Sequence, residues 1–179
     1  MFKISNDNIS IRIATPEDAK IVNTWRNDGN IMKSMCFPNG TGESIETTAN
    51  EIASYEKKLS KFCMIEVDGN IIGDVDFRIN TENGYAGFDI LIGSIDYQNK
   101  GYGTKILRLI IDHIFNDEEI NKTVQVHTID ILVAKYNTSA RHVYEKLGFK
   151  IDREDPPFVN HRGEIQHEVC YIFKREWHT

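Results

Sequence analysis

The chain has 179 residues, of which 40% are hydrophobic and 27% charged, enough apolar material to bury a core and too much for a disordered chain. Lys and Arg number 21 against 27 Asp and Glu, a net charge of −6. That balance argues against a nucleic-acid partner, since phosphate recognition needs a positive face, and suits a cationic one. No stretch offers the ~20 consecutive apolar residues of a bilayer crossing, so no membrane partner is expected. The opening MFKISNDNIS has no apolar signal core. Cys36, Cys63 and Cys170 are odd in number, far apart and without a CxxC pair. They fit a reducing cytoplasm and speak against a disulfide frame or a zinc site. The six histidines have no ligand spacing, and His161 and His167 read as surface or loop residues. No metal is expected. Without repeats or a Pro/Gly-rich linker, residues 1–179 read as one domain.

Residues 9–14 alternate and predict a strand. Thr15-Pro16-Glu17-Asp18 then has the chemistry of a helix start: a Thr cap, a first-turn Pro, and acids beside the positive helix end. Ala19, Val22 and Trp25 follow at helical spacing, and Asp28-Gly29 stops the run. Residues 30–43 read as a loop. A second helix is expected after Ser44, with Ile45, Ala49, Ile52 and Leu59 on one stripe. From Lys61 the period falls to two. KFCMIEV is a strand, Asp68-Gly69-Asn70 a turn, and residues 71–79 a second strand. In the latter, Gly73, Val75, Phe77 and Ile79 share one face, while Asp74, Asp76 and Arg78 share the other. Asn83-Gly84 turns into a strand over 85–95, with Phe88, Ile90 and Ile92 opposite Asp89, Leu91 and Gly93. Residues 104–115 form an amphipathic helix facing inward through Ile106, Leu107, Ile110, Ile111 and Ile114. Residues 123–133 are β-rich. A short helix over 137–147 carries Ala140, Val143, Tyr144 and Leu147 and stops at Gly148. A weaker strand candidate covers 149–153, and a last strand covers 168–174. The order predicts an α/β fold: a mixed, mostly antiparallel sheet of six to seven strands with helices on both faces.

The segment richest in chemistry is Gln98-Asn99-Lys100-Gly101-Tyr102-Gly103-Thr104, between a strand and the start of a strong helix. Its glycines let the backbone turn sharply and approach a ligand. The first N–H groups of a helix lack internal partners and the dipole is positive there, so the segment can cradle a pyrophosphate. Lys100 and Lys105 add charge. Taken alone, the two glycines are equally a plain strand-to-helix turn. A third glycine for the dinucleotide fingerprint is missing, and no GxxxxGK[ST] loop occurs.

Gln98-x-x-Gly101-x-Gly103 resembles the [Q/R]xxGx[G/A] acyl-CoA signature of the GNAT N-acetyltransferase superfamily. Downstream, Asn137-Thr138-Ser139-Ala140-Arg141-His142-Val143-Tyr144-Glu145-Lys146-Leu147-Gly148-Phe149 resembles that family's NxxAxxxYEKxGF segment, and the order of elements resembles its fold. The resemblance implies an enzyme that uses acetyl-CoA as co-substrate, with an amine attacking the thioester directly. Such an amine, with a pKa near ~10, must first lose a proton. The oxyanion needs a donor, and the departing thiolate benefits from a proton. The resemblance places Tyr144 as that general acid, although its position on the apolar stripe equally suits a core aromatic. It makes Asn137 a CoA contact, where the residue alone reads as a helix cap. It makes Leu91, Ile92 and Gly93 a splayed strand end that meets the pantetheine arm.

The run Gly87–Gly93 followed by Lys100–Lys105 looks like aminoglycoside 6′-N-acetyltransferases, which implies Asp89 as general base. A free Asp, with a pKa near ~4, is a weak base unless burial or a water relay helps, and Asp89 alone also reads as a solvent-facing strand residue. Asp74 and Asp76 either attract a cationic acceptor or form a solvated face. Trp25, Phe37 and Tyr55 either line the acceptor cleft or pack in the core. The expected acceptor is a small cationic amine such as an aminoglycoside. Trp25-Arg26-Asn27-Asp28 also resembles ribosomal-protein N-terminal acetyltransferases, so a protein amine stands as the alternative. A non-catalytic acyl-CoA-binding module is the third reading, and the presence of Asp89 and Tyr144 counts against it. Monomer and homodimer are both compatible with the sequence.

Overall fold

The computed structural model describes residues 2–55 and 59–177. Its centre is an eight-stranded sheet. A hairpin of β1 (Lys3–Asn6) and β2 (Ile9–Ile13) leads into β3 (Lys61–Val67), β4 (Asn70–Asn80) and β5 (Tyr85–Leu91). Next come β6 (Thr128–Ala134), β7 (Lys150–Glu154), the hairpin β8 (Phe158–Val159) and β9 (Ile165–Gln166), and β10 (Glu168–Lys174). The spatial order is β1-β2-β3-β4-β5-β6-β10-β7, with β8 and β9 forming a separate two-stranded sheet. Among the eight, β5–β6 pairs in parallel and the other neighbours are antiparallel. The mixed sheet expected from the sequence is present with one strand more than seven. The addition is β1, whose largely exposed KISN carries no apolar alternation and is held by backbone pairing to β2.

The helices are α1 (Ala19–Arg26), α2 (Gly29–Met32), α3 (Ile45–Ser54), α4 (Tyr102–Asn116), α5 (Glu118–Thr123) and α6 (Thr138–Leu147). The helix start expected at Thr15 is a 3-10 turn, Pro16–Asp18, that runs into α1: the Thr15 N–H donates to the Asp18 carboxylate at 2.7 Å, and Arg12 holds the same carboxylate at 2.8 Å. The loop expected over 30–43 contains α2 and a 3-10 turn, Lys33–Met35. The Asp28 side chain accepts from the Asn30 N–H and caps α2, while Ile31 and Met32 are buried. Ser44 caps α3, accepting from the Thr47 N–H at 3.1 Å. Ile45 is 50% exposed and Thr48 faces inward in its place, while Ile52 is buried as expected. Residues 56–58 of the expected second helix lie outside the described residues. The strand predicted to Ile95 ends at Leu91. The β-rich stretch from 123 begins only at Thr128, because Asp117 caps α5 through the Ile120 N–H.

The middle of the sheet, β3 to β5, is covered on both faces. On one, α4 sets Ile106, Leu107, Ile110 and Ile114 against Val75, Phe77, Phe88 and Ile129. On the other, Ala19, Val22, Trp25 and Ile52 of α1 and α3 cover Phe62, Met64 and Leu91. That second layer corrects the expectation of a wet face on β4: Asp74 and Asp76 lie opposite Met64 and Phe62 and are buried with them. One irregularity positions everything that follows. β5 and β6 pair only at Tyr85–Thr128, Ala86–Ile129 and Gly87–Asp130. Beyond that point each strand runs on without the other. Among the described residues, no helix is long and apolar enough to cross a membrane.

Candidate active site

The parted ends of β5 and β6 open a cleft of about 1200 Å³, which continues to the start of α4, to α6 and to the turn after α2. Leu91 and Ile92 line it on the β5 side, and the wedge expected at this strand end is present. Gly93 is buried behind it. A Cβ there would lie 2.1 Å from Cδ2 of Trp25, so the glycine admits the indole that braces the strand end. Trp25 is therefore a core residue and not part of the cleft wall.

The glycine loop has the expected shape with a different division of labour. Asn99 and Gly101 are left-handed, at φ 56° and 83°, a conformation glycine adopts without strain. Gln98 Nε2 donates to the Ile92 carbonyl at 2.7 Å, so this side chain ties the loop to the strand. Gly101 is the cap of α4, and the Lys105 N–H donates to its carbonyl at 3.3 Å. The N–H groups of Tyr102, Gly103 and Thr104 precede that bond and have no acceptor within the helix. A Cβ at Gly101 or Gly103 would meet nothing within 4 Å, and both residues line the cleft. Internal packing does not require Gly103, whereas room for a ligand at a positive helix end does. The backbone of Gly101–Thr104 thus fits a pyrophosphate, and the wedge fits the arm of acyl-CoA. Lys100 and Tyr102 lie outside the cleft wall: Lys100 is exposed, and the Tyr102 ring packs 5.6 Å from Tyr97.

Asn137 caps α6, accepting from the Ala140 N–H at 3.1 Å. Its amide also donates to the Ser34 carbonyl at 3.2 Å, and Tyr136 donates to the Lys33 carbonyl at 2.6 Å. Both fix the turn Lys33–Met35 at the cleft margin. Tyr144 is 5% exposed, with its ring centroid 5.8 Å from Phe149 and 5.9 Å from Tyr171, and it lines the cleft. Burial holds its phenol well above the ordinary value, and the nearby charge of Asp89 adds to this. The hydroxyl therefore keeps its proton.

Asp89 also lines the cleft, its side chain 40% exposed and its Oδ2 2.9 Å from Arg78 Nη1. The same Arg78 nitrogen pairs with Asp76. Asp74 and Asp76, expected near the acceptor, lie beneath α1 and α3 and do not reach the cleft wall. Burial pushes Asp74 up to about 7 against the pull of Arg26, and its Oδ2 has no hydrogen-bond partner among the described residues. Asp76 is raised by burial and then by the Asp89 charge. Tyr55 sits edge-on to Phe62, with its hydroxyl near Asp76 and Arg78, and is pushed up to about 12 by burial. Phe37 packs 5.2 Å from the His161 ring. Sequence reasoning placed at the site none of five further charged residues that line the cleft, Lys33, Arg78, Glu82, Asp130 and Glu168. Glu168 is raised by burial, with the Asp89 charge contributing. Arg78 carried a signal, since it lies two residues from Asp76 on one strand face. Glu168 carried none, because only the β6–β10 pairing brings it here.

A sheet parted over a helix N-terminus, with a phenol and a carboxylate lining the gap, is an arrangement that suits a transferase drawing on acyl-CoA. The family profile described as "Acetyltransferase (GNAT) domain" matches residues 8–150, and the chain belongs to that family. It is similar to spermidine N(1)-acetyltransferase of Escherichia coli K12, 27% identical over 169 residues, covering 92% of this chain and 79% of the relative. It is similar to aminoglycoside N(6′)-acetyltransferase type 1 of Klebsiella pneumoniae, 26% identical over 163 residues, covering 82% and 76%. The crystal structure of spermidine N-acetyltransferase from Vibrio cholerae with CoA and spermine shares the fold, with a TM-score of 0.77, 22% identity and coverage of 96% and 98%. The chain is thus an acetyl-CoA-dependent N-acetyltransferase acting on amines. Among the described residues, no group of three or more His, Cys, Asp or Glu is placed to hold a metal ion.

Proposed function

We propose that the acceptor is a small polycationic amine, of the kind an aminoglycoside or a linear polyamine presents. The observation that carries this reading is the pair of partly buried carboxylates, Asp89 and Glu168, in one cleft wall, close enough for the Asp89 charge to raise Glu168. A molecule with two ammonium groups relieves that repulsion and one with a single charge does so only in part. The spermidine and aminoglycoside acetyltransferases among its relatives support the same class.

Acetyl-CoA supplies an activated acetyl thioester, and the chain's own groups do the rest. The α4 N-terminus holds the pyrophosphate through Gly101–Thr104. Asp89 attracts the acceptor ammonium and takes its proton, directly or through water, so that the neutral amine attacks. Tyr144 keeps its proton until the C–S bond breaks and gives it to the leaving thiolate; the second proton of the nitrogen, shed as the amide forms, passes directly or through water to the phenolate and restores it, and Asp89 releases its own proton to solvent. Residues 1–179 act as one acyltransferase domain in this reading. The buried free thiols of Cys36, Cys63 and Cys170 support a reducing cytoplasm.

The test is acetyl-CoA consumption with an aminoglycoside, with spermidine and with a peptide bearing a free N-terminus. Turnover with either small polycation and not with the peptide is expected. Turnover with the peptide alone points to the protein-amine alternative. Hydrolysis independent of any amine removes the proposal.

A further inference from the structure

Asp76 and Asp89 are direct cross-strand neighbours on β4 and β5, facing the same side of the sheet. Two carboxylates in that relation repel, and left alone each turns away from the other or shares a proton. Arg78 sits two residues beyond Asp76 on the same face. One of its nitrogens, Nη1, pairs with Asp76 Oδ1 and with Asp89 Oδ2. The two acids differ in surroundings. The Asp76 side chain is 10% exposed, whereas those of Arg78 and Asp89 are 46% and 40% exposed and line the cleft. The buried acid therefore anchors the guanidinium from below, and the guanidinium holds the acid that faces substrate.

We propose that Arg78 is a positioning residue that aims the Asp89 carboxylate into the acceptor end of the cleft, with Asp76 as its buried anchor. The inference rests on the reading of Asp89 as the group that receives the acceptor amine. Arg78 acts through Asp89 by fixing one of its oxygens and leaving the other, Oδ1, which has no partner among the described residues, to meet an ammonium. The bridged trio sets one guanidinium between two carboxylates beside the reacting amine. A second cation must then find its charge elsewhere in the cleft, where Glu82, Asp130 and Glu168 are the further acids of the wall.

The experiment compares Arg78→Met, Arg78→Lys, Asp76→Asn, Asp89→Asn and the double variant Arg78→Met/Asp89→Asn, using acceptor kcat/KM and calorimetric acetyl-CoA affinity. Misplacing a reacting group by about 1 Å costs up to ~10²-fold. Arg78→Met is expected to lose roughly ten- to a hundredfold in acceptor kcat/KM with unchanged acetyl-CoA affinity. Arg78→Lys, whose single nitrogen can still bridge both acids, restores most of it. Asp76→Asn falls in the same direction by less. The double variant is no slower than Asp89→Asn alone, because Arg78 has nothing left to aim. Multiplying losses in the double variant, or wild-type turnover by Arg78→Met, overturns the inference. A folded Arg78→Met that has lost acetyl-CoA affinity overturns it too; if Arg78→Met shows no cooperative unfolding transition and so has not folded, Asp76→Asn decides, and its unchanged turnover overturns the inference. An unchanged rate in Asp89→Asn removes the underlying reading instead, which keeps the two failures apart.

Discussion

Tyr144 combines two roles that a phenol can hold together. Its ring is core, packed on Phe149 and Tyr171, and its edge is cleft wall. Tyr144→Phe removes one oxygen and leaves the packing, so the fold should melt as wild type does. General acid catalysis is worth typically ~10²–10⁴-fold, and a thiolate leaves well unaided, so the low end or less is expected in kcat. Acetyl-CoA affinity should not change, because the proton is needed only as the bond breaks. Stopped-flow or steady-state rates with chemistry rate-limiting check this, and a wild-type rate returns Tyr144 to packing alone. Asp89→Asn should slow the reaction with partial relief at high pH, where more of the amine is already neutral, and a pH profile identical to wild type points to another base. Tyr144 was legible in the sequence because its motif lies along one helix, where spacing alone sets which residues adjoin. Arg78 and Glu168 were not, because their significance depends on which strand lies beside which.

At the scale of the element, two glycines, one lining the cleft and one buried behind its wall, answer to different forces. A Cβ at Gly103 meets nothing of the protein, while one at Gly93 meets the Trp25 indole at 2.1 Å. Gly103→Asp should therefore fold normally and lose acetyl-CoA binding, since it sets a negative charge where the helix offers N–H groups to a pyrophosphate. Calorimetry showing undiminished affinity would sink the assignment of this loop. Gly93→Ala should instead destabilise by about 1–3 kcal/mol, as overpacking does, seen as a lower denaturant midpoint. Strands β3 and β4 and helix α4 were legible because alternation and helical period survive wherever one face is clearly apolar. The faces of β4 were not. Alternation marks Asp74 and Asp76 as a different face from Val75 and Phe77 and cannot show that α1 and α3 will cover it. Likewise α2 is too short for a period and stands on its Asp28 cap.

For the whole molecule, the buried acids set a pH dependence of stability. Asp74 has its folded pKa raised from 3.8 to about 7, so its contribution is full below the unfolded value and is lost as pH climbs through the folded one. Asp18 works oppositely: it is lowered with Arg12 as partner, and its contribution is lost as pH falls. Asp74→Asn should therefore gain stability relative to wild type between pH 5 and pH 8, measured by urea unfolding at both. A constant difference across that window would show that Asp74 does not titrate there. The parting of β5 from β6 has a consequence of another kind. Past Gly87 and Asp130 the ladder between them is absent, so the sheet of the free enzyme is two blocks joined along a seam. Any molecule seated in that seam joins the blocks, and a ligand at a hundred times its Kd adds about 2.7 kcal/mol to the folded state. The enzyme's resistance to an added protease should then rise with the concentration of acetyl-CoA.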